Sequence, residues 1–320
     1  MDADRLPVTL ITGFLGSGKT TLLARLLAHP GLGETAVIVN ELGEVALDHH
    51  LLRRVDERTV VLASGCVCCV MRGDLAEELR DLLGRRDRGE VPPFGRVIVE
   101  TTGIAEPAPI LQTLLSEPVV RHHYRPDAVI ATVDGVLGLR QLSSRREPVQ
   151  QAAAADRIVV TKTDVAEPEA VAELERWLRA LNPAAALSRA SFGEIAPEEL
   201  LAPGGRDLRE VAAEGHGHEA GVAAVCLVFA EPLDWTAFGV WLTMLLQSRG
   251  EDVLRVKGLL DVGAAGPVAV DGVQHVVHPP RHLDAWPDGD RRSRVVFIGP
   301  GLDRHELERS LAAFNRAAAA

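Results

Sequence analysis

The sequence predicts an α/β fold: a mostly parallel sheet with helices on both faces, followed by a smaller α+β domain. Three observations predict it. Short apolar runs alternate with amphipathic helical stretches from Val8 to Leu181, the pattern of strands buried on both faces. A glycine-rich turn, Gly13-Phe14-Leu15-Gly16-Ser17-Gly18-Lys19-Thr20, stands between the first strand and the first helix. Between Ala202 and Gly221 the texture turns glycine- and histidine-rich, and strand-like runs dominate the last hundred or so residues.

Taken in order, Val8, Leu10 and Ile11 read as a buried strand and Thr21–Leu27 as a helix. Val37–Asn40 and Thr59–Leu62 read as the next strands. Asp74 is placed to cap a helix with Leu75, Leu79, Leu82 and Leu83 on one face. Arg96–Glu100 is a strand, a helix opens at Pro107, and Asp127–Val133 and Arg157–Val160 are further strands. Val171, Leu174, Leu178 and Leu181 lie at helical spacing, and Asn182-Pro183 ends that helix. After the linker come a strand (Val222–Phe229) and a helix capped by Asp234, with Phe238, Leu242, Leu245 and Leu246 on one face. Runs at Val253–Val262, Val268–Val270 and Val273–Val277 come next, with Asp271-Gly272 as a two-residue hairpin signal. Arg294–Ile298 is another strand, and Asp303 caps a final helix. The expected domains are therefore 1–203, a linker over 204–221, and 222–320.

Composition narrows the function. Lys and Arg number 34 against 45 Asp and Glu, a net charge of −11, which argues against a sequence-independent grip on nucleic acid. No apolar run approaches the ~18 residues of a membrane span. The acidic, polar stretch Met1-Asp2-Ala3-Asp4-Arg5 is unlike a signal peptide, so the expected location is the cytoplasm, where thiols stay reduced.

Three strand ends carry chemistry. In the first, backbone N–H groups of a loop spanning Gly13, Gly16, Ser17 and Gly18 can wrap a polyphosphate. Lys19 would reach the β- and γ-phosphates and the Thr20 hydroxyl would hold Mg²⁺, with Thr21 completing the set of nucleotide contacts. In the second, Glu100-Thr101-Thr102-Gly103 places a carboxylate where it can hold Mg²⁺ or its water, and Gly103 where its N–H can meet the γ-phosphate. Lys19, Glu100 and Gly103 are thus the candidate catalytic residues. In the third, the Asp164 carboxylate of Thr161-Lys162-Thr163-Asp164 can accept from N1–H and the N2 amine of guanine together, a fit adenine cannot supply. Lys162 would lay its stem over the base. Thr161 stands where the guanine motif of GTPases has Asn, a departure expected to weaken any side-chain tie between base loop and phosphate loop. The nucleotide expected is GTP. Ser188-Arg189-Ala190 is a candidate for a last base-contacting loop.

Three of the four cysteines crowd into Cys66-Val67-Cys68-Cys69. Neighbouring cysteines bridge one another badly, and three thiols in one loop suit Zn²⁺ or another soft to borderline cation better than Mg²⁺. A tetrahedral site needs one more ligand, for which Glu41, Glu44, His49 and His50 are candidates. Cys226 and Trp235, Trp241 and Trp286 read as core. His216 and His218 read either as a loose metal capture or as polar linker, and His275, His278 and His282 as surface or loop histidines, with a docking or metal face as the alternative.

Together these elements resemble the CobW-like family of GTP-binding metallochaperones over nearly the whole chain. In the first domain the resemblance rests on Gly13–Thr21, Asn40-Glu41-Leu42-Gly43-Glu44, Cys66–Cys69, Glu100–Gly103 and Thr161–Asp164. In the second it rests on Trp235–Trp241, Arg255-Val256-Lys257-Gly258, Gly272-Val273-Gln274-His275 and Trp286 through Arg294 to Gly301. It implies a P-loop NTPase domain of the SIMIBI type, slow GTP hydrolysis with Mg²⁺, and zinc or cobalt bound at C-x-C-C. It also implies delivery to a metal-requiring client protein, by a monomer or homodimer, without a nucleic-acid or membrane partner. Leu42 stands where many relatives carry Phe. The cysteine-containing docking peptide of the eukaryotic branch is not seen, so that branch's methionine-aminopeptidase client is not implied. A coupling is expected in which loss of the γ-phosphate moves a metal ligand such as Glu41 or Glu44. A metal sensor that delivers nothing, and a small-molecule phosphotransferase with structural zinc, are the alternative readings. No catalytic base is evident; Glu41, Glu44 or the Thr101–Gly103 loop would orient the water.

Overall fold

Strand β1 (Leu6–Gly13) runs through the centre of a seven-stranded sheet. The computed structural model describes residues 5–29, 32, 34–40, 59–64, 73–201, 208, 210–211, 217–219, 221–287 and 289–318. The chain divides into two units, Met1–Glu175 with Ala186–Gly204, and Arg176–Ala185 with Gly205–Ala320. Among the described residues no helix is long and apolar enough to cross a membrane.

The other strands of the first sheet are β2 (Thr35–Asn40), β3 (Thr59–Ser64), β4 (Arg96–Glu100), β5 (Tyr124–Asp134), β6 (Arg157–Thr161) and β7 (Ala186–Arg189). Their order is β3-β2-β4-β1-β5-β6-β7, and every pairing is parallel. Parallel neighbours need long crossovers. Here these carry α1 (Lys19–Leu27), α2 (Gly73–Asp87), α3 (Pro107–Ser116), α4 (Pro118–His123), α5 (Gly138–Ser144), α6 (Arg146–Ala154) and α7 (Pro168–Leu181), with α8 (Pro197–Leu201) after β7. The apolar stripe of α1, Leu22, Leu23 and Leu26, packs on Ile11, Val37, Ile98, Ile130 and Val159 of five neighbouring strands. Each such side chain, fully buried, contributes about 1.5–3 kcal/mol. From β1 the chain moves to one side of the sheet, to β2; from β5 it moves to the other, to β6. The crevice at the carboxyl ends of β1 and β5 is therefore the switch point at which such sheets bind ligands.

The second unit holds β8 (Gly217–Glu219), β9 (Val222–Phe229), β10 (Arg255–Leu260), β11 (Val268–Val273), β12 (Val276–Val277), β13 (Arg281–His282) and β14 (Ser293–Pro300). All pair antiparallel, in the order β12-β11-β10-β14-β9-β8 with β13 beside β11. Two helices, α9 (Trp235–Arg249) and α10 (Arg304–Ala318), bury Phe238, Trp241, Leu242, Leu246, Leu307 and Leu311 against Val225, Leu227, Val256, Val295 and Phe297. Both caps form as expected: Asp234 accepts from Ala237 N at 2.7 Å, and Asp303 from Glu306 N at 2.8 Å. Trp241 Nε1 donates to Ser310 Oγ at 2.9 Å, tying the helices together.

Four local expectations are corrected. Asp271-Gly272 is not a hairpin turn but lies inside β11, and the turn is Gln274-His275, with Gln274 at φ 52° and Val273 opposite Val276. Asp271 there sits opposite Lys257 and meets the fully buried Arg255 at 3.1 Å, a charge pairing made across the strands rather than at a turn. The stretch read as a linker contributes β8, in which His218 pairs with Ala223; His216 lies outside the described residues. Helix α2 begins at Gly73, so Asp74 is inside its first turn rather than ahead of it. Of the tryptophans read as core, Trp241 is buried, whereas Trp235 and Trp286 are half-buried. Cys226 is buried in β9, as expected.

Candidate nucleotide site

The phosphate loop follows from β1 by necessity. At Gly13 the backbone takes φ 143°, and a Cβ there would lie 2.3 Å from Thr132 Oγ1 of β5, so only glycine fits where the loop leaves the sheet. Ser17 Oγ and Thr132 Oγ1 are 2.7 Å apart, which fixes the loop to β5. Lys19 is buried and donates from Nζ to the carbonyls of Gly13 at 2.9 Å and Phe14 at 3.3 Å. A triphosphate offers that ammonium stronger, charged acceptors than these two carbonyls. Gly16 is exposed at the loop's crown, Gly18 caps α1, and Thr21 faces solvent in the first turn of α1.

The register of β1 on β4 sets Ile11 beside Glu100, and the ladder continues with Thr101 N donating to Ile11 O at 2.9 Å. That alignment delivers Glu100 to the phosphate loop: Thr20 donates its hydroxyl to Glu100 Oε1 at 2.6 Å. Glu100 is buried. A carboxylate and a hydroxyl in contact are hard oxygen donors, the kind Mg²⁺ selects. Thr101 donates to Thr12 Oγ1 at 3.0 Å, which anchors the loop base. Gly103 packs against the phosphate loop so closely that a Cβ would lie 2.7 Å from Leu15 N.

The base motif is wired to the same loop. Thr161 donates from Oγ1 to the Ser17 carbonyl, 2.7 Å away, and lies 3.2 Å from the Val133 carbonyl. The expected weakening of this tie by the Asn-to-Thr departure is therefore corrected: the shorter hydroxyl reaches the phosphate loop directly. Lys162 takes φ 55°, a strained conformation for a side-chain residue, and its ammonium holds Asp134 Oδ2 at 2.6 Å. Asp134 is buried, and its other oxygen accepts from Val136 N and Leu137 N at 2.8 and 3.0 Å. Asp164 is exposed, open to a ligand, and accepts a long bond from Phe192 N at 3.4 Å.

The stretch Ser188-Arg189-Ala190 ends against the base motif, where Thr163 donates to Ala190 O at 3.2 Å; Ser188 and Arg189 are the last two residues of their strand. They are in β7, where Arg189 pairs with Glu175 at 2.6 Å and Ser188 bonds Glu199. The tight turn that follows, between Ser191 and Glu194, lies beside Asp164 and presents Phe192, 63 % exposed. Arg25 of α1 holds this turn through the Phe192 carbonyl at 3.3 Å. Sequence reading also passed over Asp134, Thr132 and Gln151. Gln150-Gln151 carried a usable signal: two polar residues inside the otherwise apolar run Val149–Ala155, all of it buried.

Cys66, Cys68, Cys69, Glu41, Glu44, His49 and His50 lie outside the described residues. Among the described residues no group of three or more His, Cys, Asp and Glu could hold a metal ion. The strands leading to those segments are described. Asn40, which ends β2, pairs with Ser64, which ends β3, and Val39 pairs with Glu100.

The fold and these strand-end loops define the first unit as a P-loop GTPase domain. The CobW/HypB/UreG nucleotide-binding domain matches residues 7–189, and the cobalamin synthesis protein CobW C-terminal domain matches residues 222–315. The chain belongs to the CobW family. It is 33 % identical to the zinc chaperone YjiA of Escherichia coli, over 97 % of this chain and 99 % of that one. It is 30 % identical to the zinc chaperone CobW of Pseudomonas aeruginosa, over 96 % and 91 %. The crystal structure of Zn(II)-bound YjiA GTPase from E. coli superposes with a TM-score of 0.71 at 28 % identity, covering 97 % of this chain and 99 % of that one.

Proposed function

We propose that this protein is a GTP-hydrolysing metallochaperone that carries zinc, with cobalt as the alternative cargo, and hands it to a metal-requiring client protein. Residues 1–203 act as the GTPase domain and 222–320 as the C-terminal domain. Relatives named zinc chaperones, similar over nearly their whole length, support the reading. The observation that carries it is the pairing of Asn40 with Ser64 beside Glu100. The segment with Glu41 and Glu44 and the segment with Cys66, Cys68 and Cys69 leave from adjacent strand ends, next to the strand that ends in Glu100.

In this reading backbone N–H groups from Gly13 to Thr21 bind the phosphates and Lys19 neutralises the β–γ bridge. Thr20 and Glu100 hold Mg²⁺, which when bound screens the phosphate charge. Gly103 offers its N–H to the γ-phosphate. Asp164 selects guanine, Lys162 lays its stem over the base, and Thr161 ties this loop to the phosphate loop. The three thiolates, with Glu41 or Glu44, take the cargo, and loss of the γ-phosphate withdraws one ligand. A shift of about 1.4 kcal/mol changes zinc affinity tenfold, and linkage requires zinc to change GTP affinity by the same factor.

The test is a zinc titration by chelator competition, with either GDP or a non-hydrolysable GTP analogue bound, beside a Cys66→Ser, Cys68→Ser, Cys69→Ser variant. At least about tenfold between the two nucleotide states is expected, with loss of tight binding in the variant. Equal zinc affinity in both states would sink the coupling.

A further inference from the structure

The loop after β4 is held by a residue outside every motif. Gln151, on α6, is 1 % exposed, and its Nε2 donates to the carbonyls of Gly103 at 3.2 Å and Ala105 at 3.0 Å. Two carbonyl partners require the NH₂ end to face the loop, so both amide hydrogens are in use. Its Oε1 is buried and receives no hydrogen bond among the described residues. The loop also closes on itself: Ala105 N donates to Thr102 O at 3.1 Å, and Thr101 Oγ1 lies 3.2 Å from the same carbonyl.

These bonds set directions. In a trans peptide the N–H points opposite to the C=O, so holding Thr102 O orients the Gly103 N–H. Holding Gly103 O fixes the next peptide. On its other side Gly103 has Leu15 of the phosphate loop, too close for a Cβ. Gly103 is thus flanked by Leu15 of the phosphate loop at its Cα and by Gln151 at its carbonyl, while Ala105 N holds the carbonyl of the peptide that carries its N–H. The helix carrying Gln151 leads straight into β6, which ends in Thr161.

We propose that Gln151 is a positioning residue for GTP hydrolysis: by holding the carbonyls of Gly103 and Ala105 it fixes the backbone on the C-terminal side of Gly103, and so the angle at which the Gly103 N–H meets the γ-phosphate. The proposal rests on the GTPase reading above. GDP lacks that phosphate, so its binding does not depend on the latch.

Two variants test it. Gln151→Leu removes the donors at similar volume; Gln151→Glu keeps the shape and sets acceptors against acceptors. Turnover of GTP and affinities for GDP and a non-hydrolysable GTP analogue are measured for both and for wild type. GDP affinity is expected to stay within about twofold while kcat falls about tenfold or more, the rate equivalent of one forfeited buried hydrogen bond. Lowering the pH should restore part of the Gln151→Glu loss, because a protonated carboxyl can donate to one carbonyl, and should restore nothing in Gln151→Leu. Unchanged kcat in a folded variant, or equal loss of GDP and GTP-analogue affinity, overturns the proposal. If Gln151→Leu does not fold, a Gln151→Glu profile parallel to wild type overturns it. A wild-type protein that binds GDP but leaves GTP intact would instead overturn the GTPase reading itself.

Discussion

Thr161 Oγ1 and the carbonyl oxygen of Ser17 are 2.7 Å apart, joining the base motif at the end of β6 to the phosphate loop after β1 across 144 positions of sequence. The bond is buried, so neither group has water as a substitute. It ties the base motif directly to the phosphate loop.

Thr161→Val, close in shape but without the donor, should weaken GDP and GTP binding alike by about tenfold, while Thr161→Ser stays near wild type. Calorimetric titration reads both. A Val variant that binds as wild type does would mean that β-strand pairing alone holds the loop.

Asp164 is exposed and accepts the long bond from Phe192 N; in the proposed reading its carboxylate selects the base. Asp164→Ala should lower GTP affinity by two or more orders of magnitude and abolish preference over ATP, on the order seen when a built hydrogen-bond pair is lost. Asp164→Asn should turn preference toward xanthosine nucleotides, whose C2 carbonyl accepts from the new amide. Competition of each nucleotide against a fluorescent GDP measures this, and retained guanine preference in Asp164→Ala would remove Asp164 from the pocket.

The Cys226 thiol is pushed up to about 11 by burial. Near neutral pH a maleimide should therefore label the native protein at no more than three of its four cysteines, Cys66, Cys68 and Cys69, with Cys226 reacting only on unfolding. Peptide mass spectrometry reads the sites. The same shift has a sign for stability. An unfolded Cys226 ionises near its ordinary value of 9, the folded one near 11, so its contribution is intact below 9 and is lost as pH rises through that interval. Tyr124, also raised by burial, acts in the same direction. A melting temperature that rises from pH 9 to pH 11 would contradict the assignment.

Asp271 meets the fully buried Arg255 at 3.1 Å between β11 and β10. Asp271→Ala should destabilise the second unit by about 1–3 kcal/mol without changing GDP affinity. Denaturant unfolding beside a binding titration checks both, and a neutral effect on stability would show the pair to be dispensable.

Local chemistry reads out of sequence where its period is local. The strand–turn–helix around Gly13–Thr20, the cap at Asp234 and the alternation of apolar strands with amphipathic helices are settled by neighbours a few residues apart, and all were legible. Asp271-Gly272 misled for the same reason: as a pair it is turn chemistry, whereas in the fold it pairs with β10 and Asp271 meets the distant Arg255. Phe192 at the base loop gave no signal, because nothing near it in sequence marks it as a neighbour of Asp164.

The chain's own order of residues determined the α/β class, the phosphate loop and the chemical kind of each strand-end group, since backbone geometry and side-chain periodicity act over one or two turns. Tertiary structure alone decided which of those groups touch. Parallel pairing brings Glu100 beside Ile11 and Thr161 beside Asp134, and it is this alignment of remote strands that puts Thr20 on Glu100, Thr161 on Ser17 and Gln151 under Gly103. Such contacts depend on strand order and register, which are set by burying the whole sheet at once and leave no mark in any short stretch of sequence.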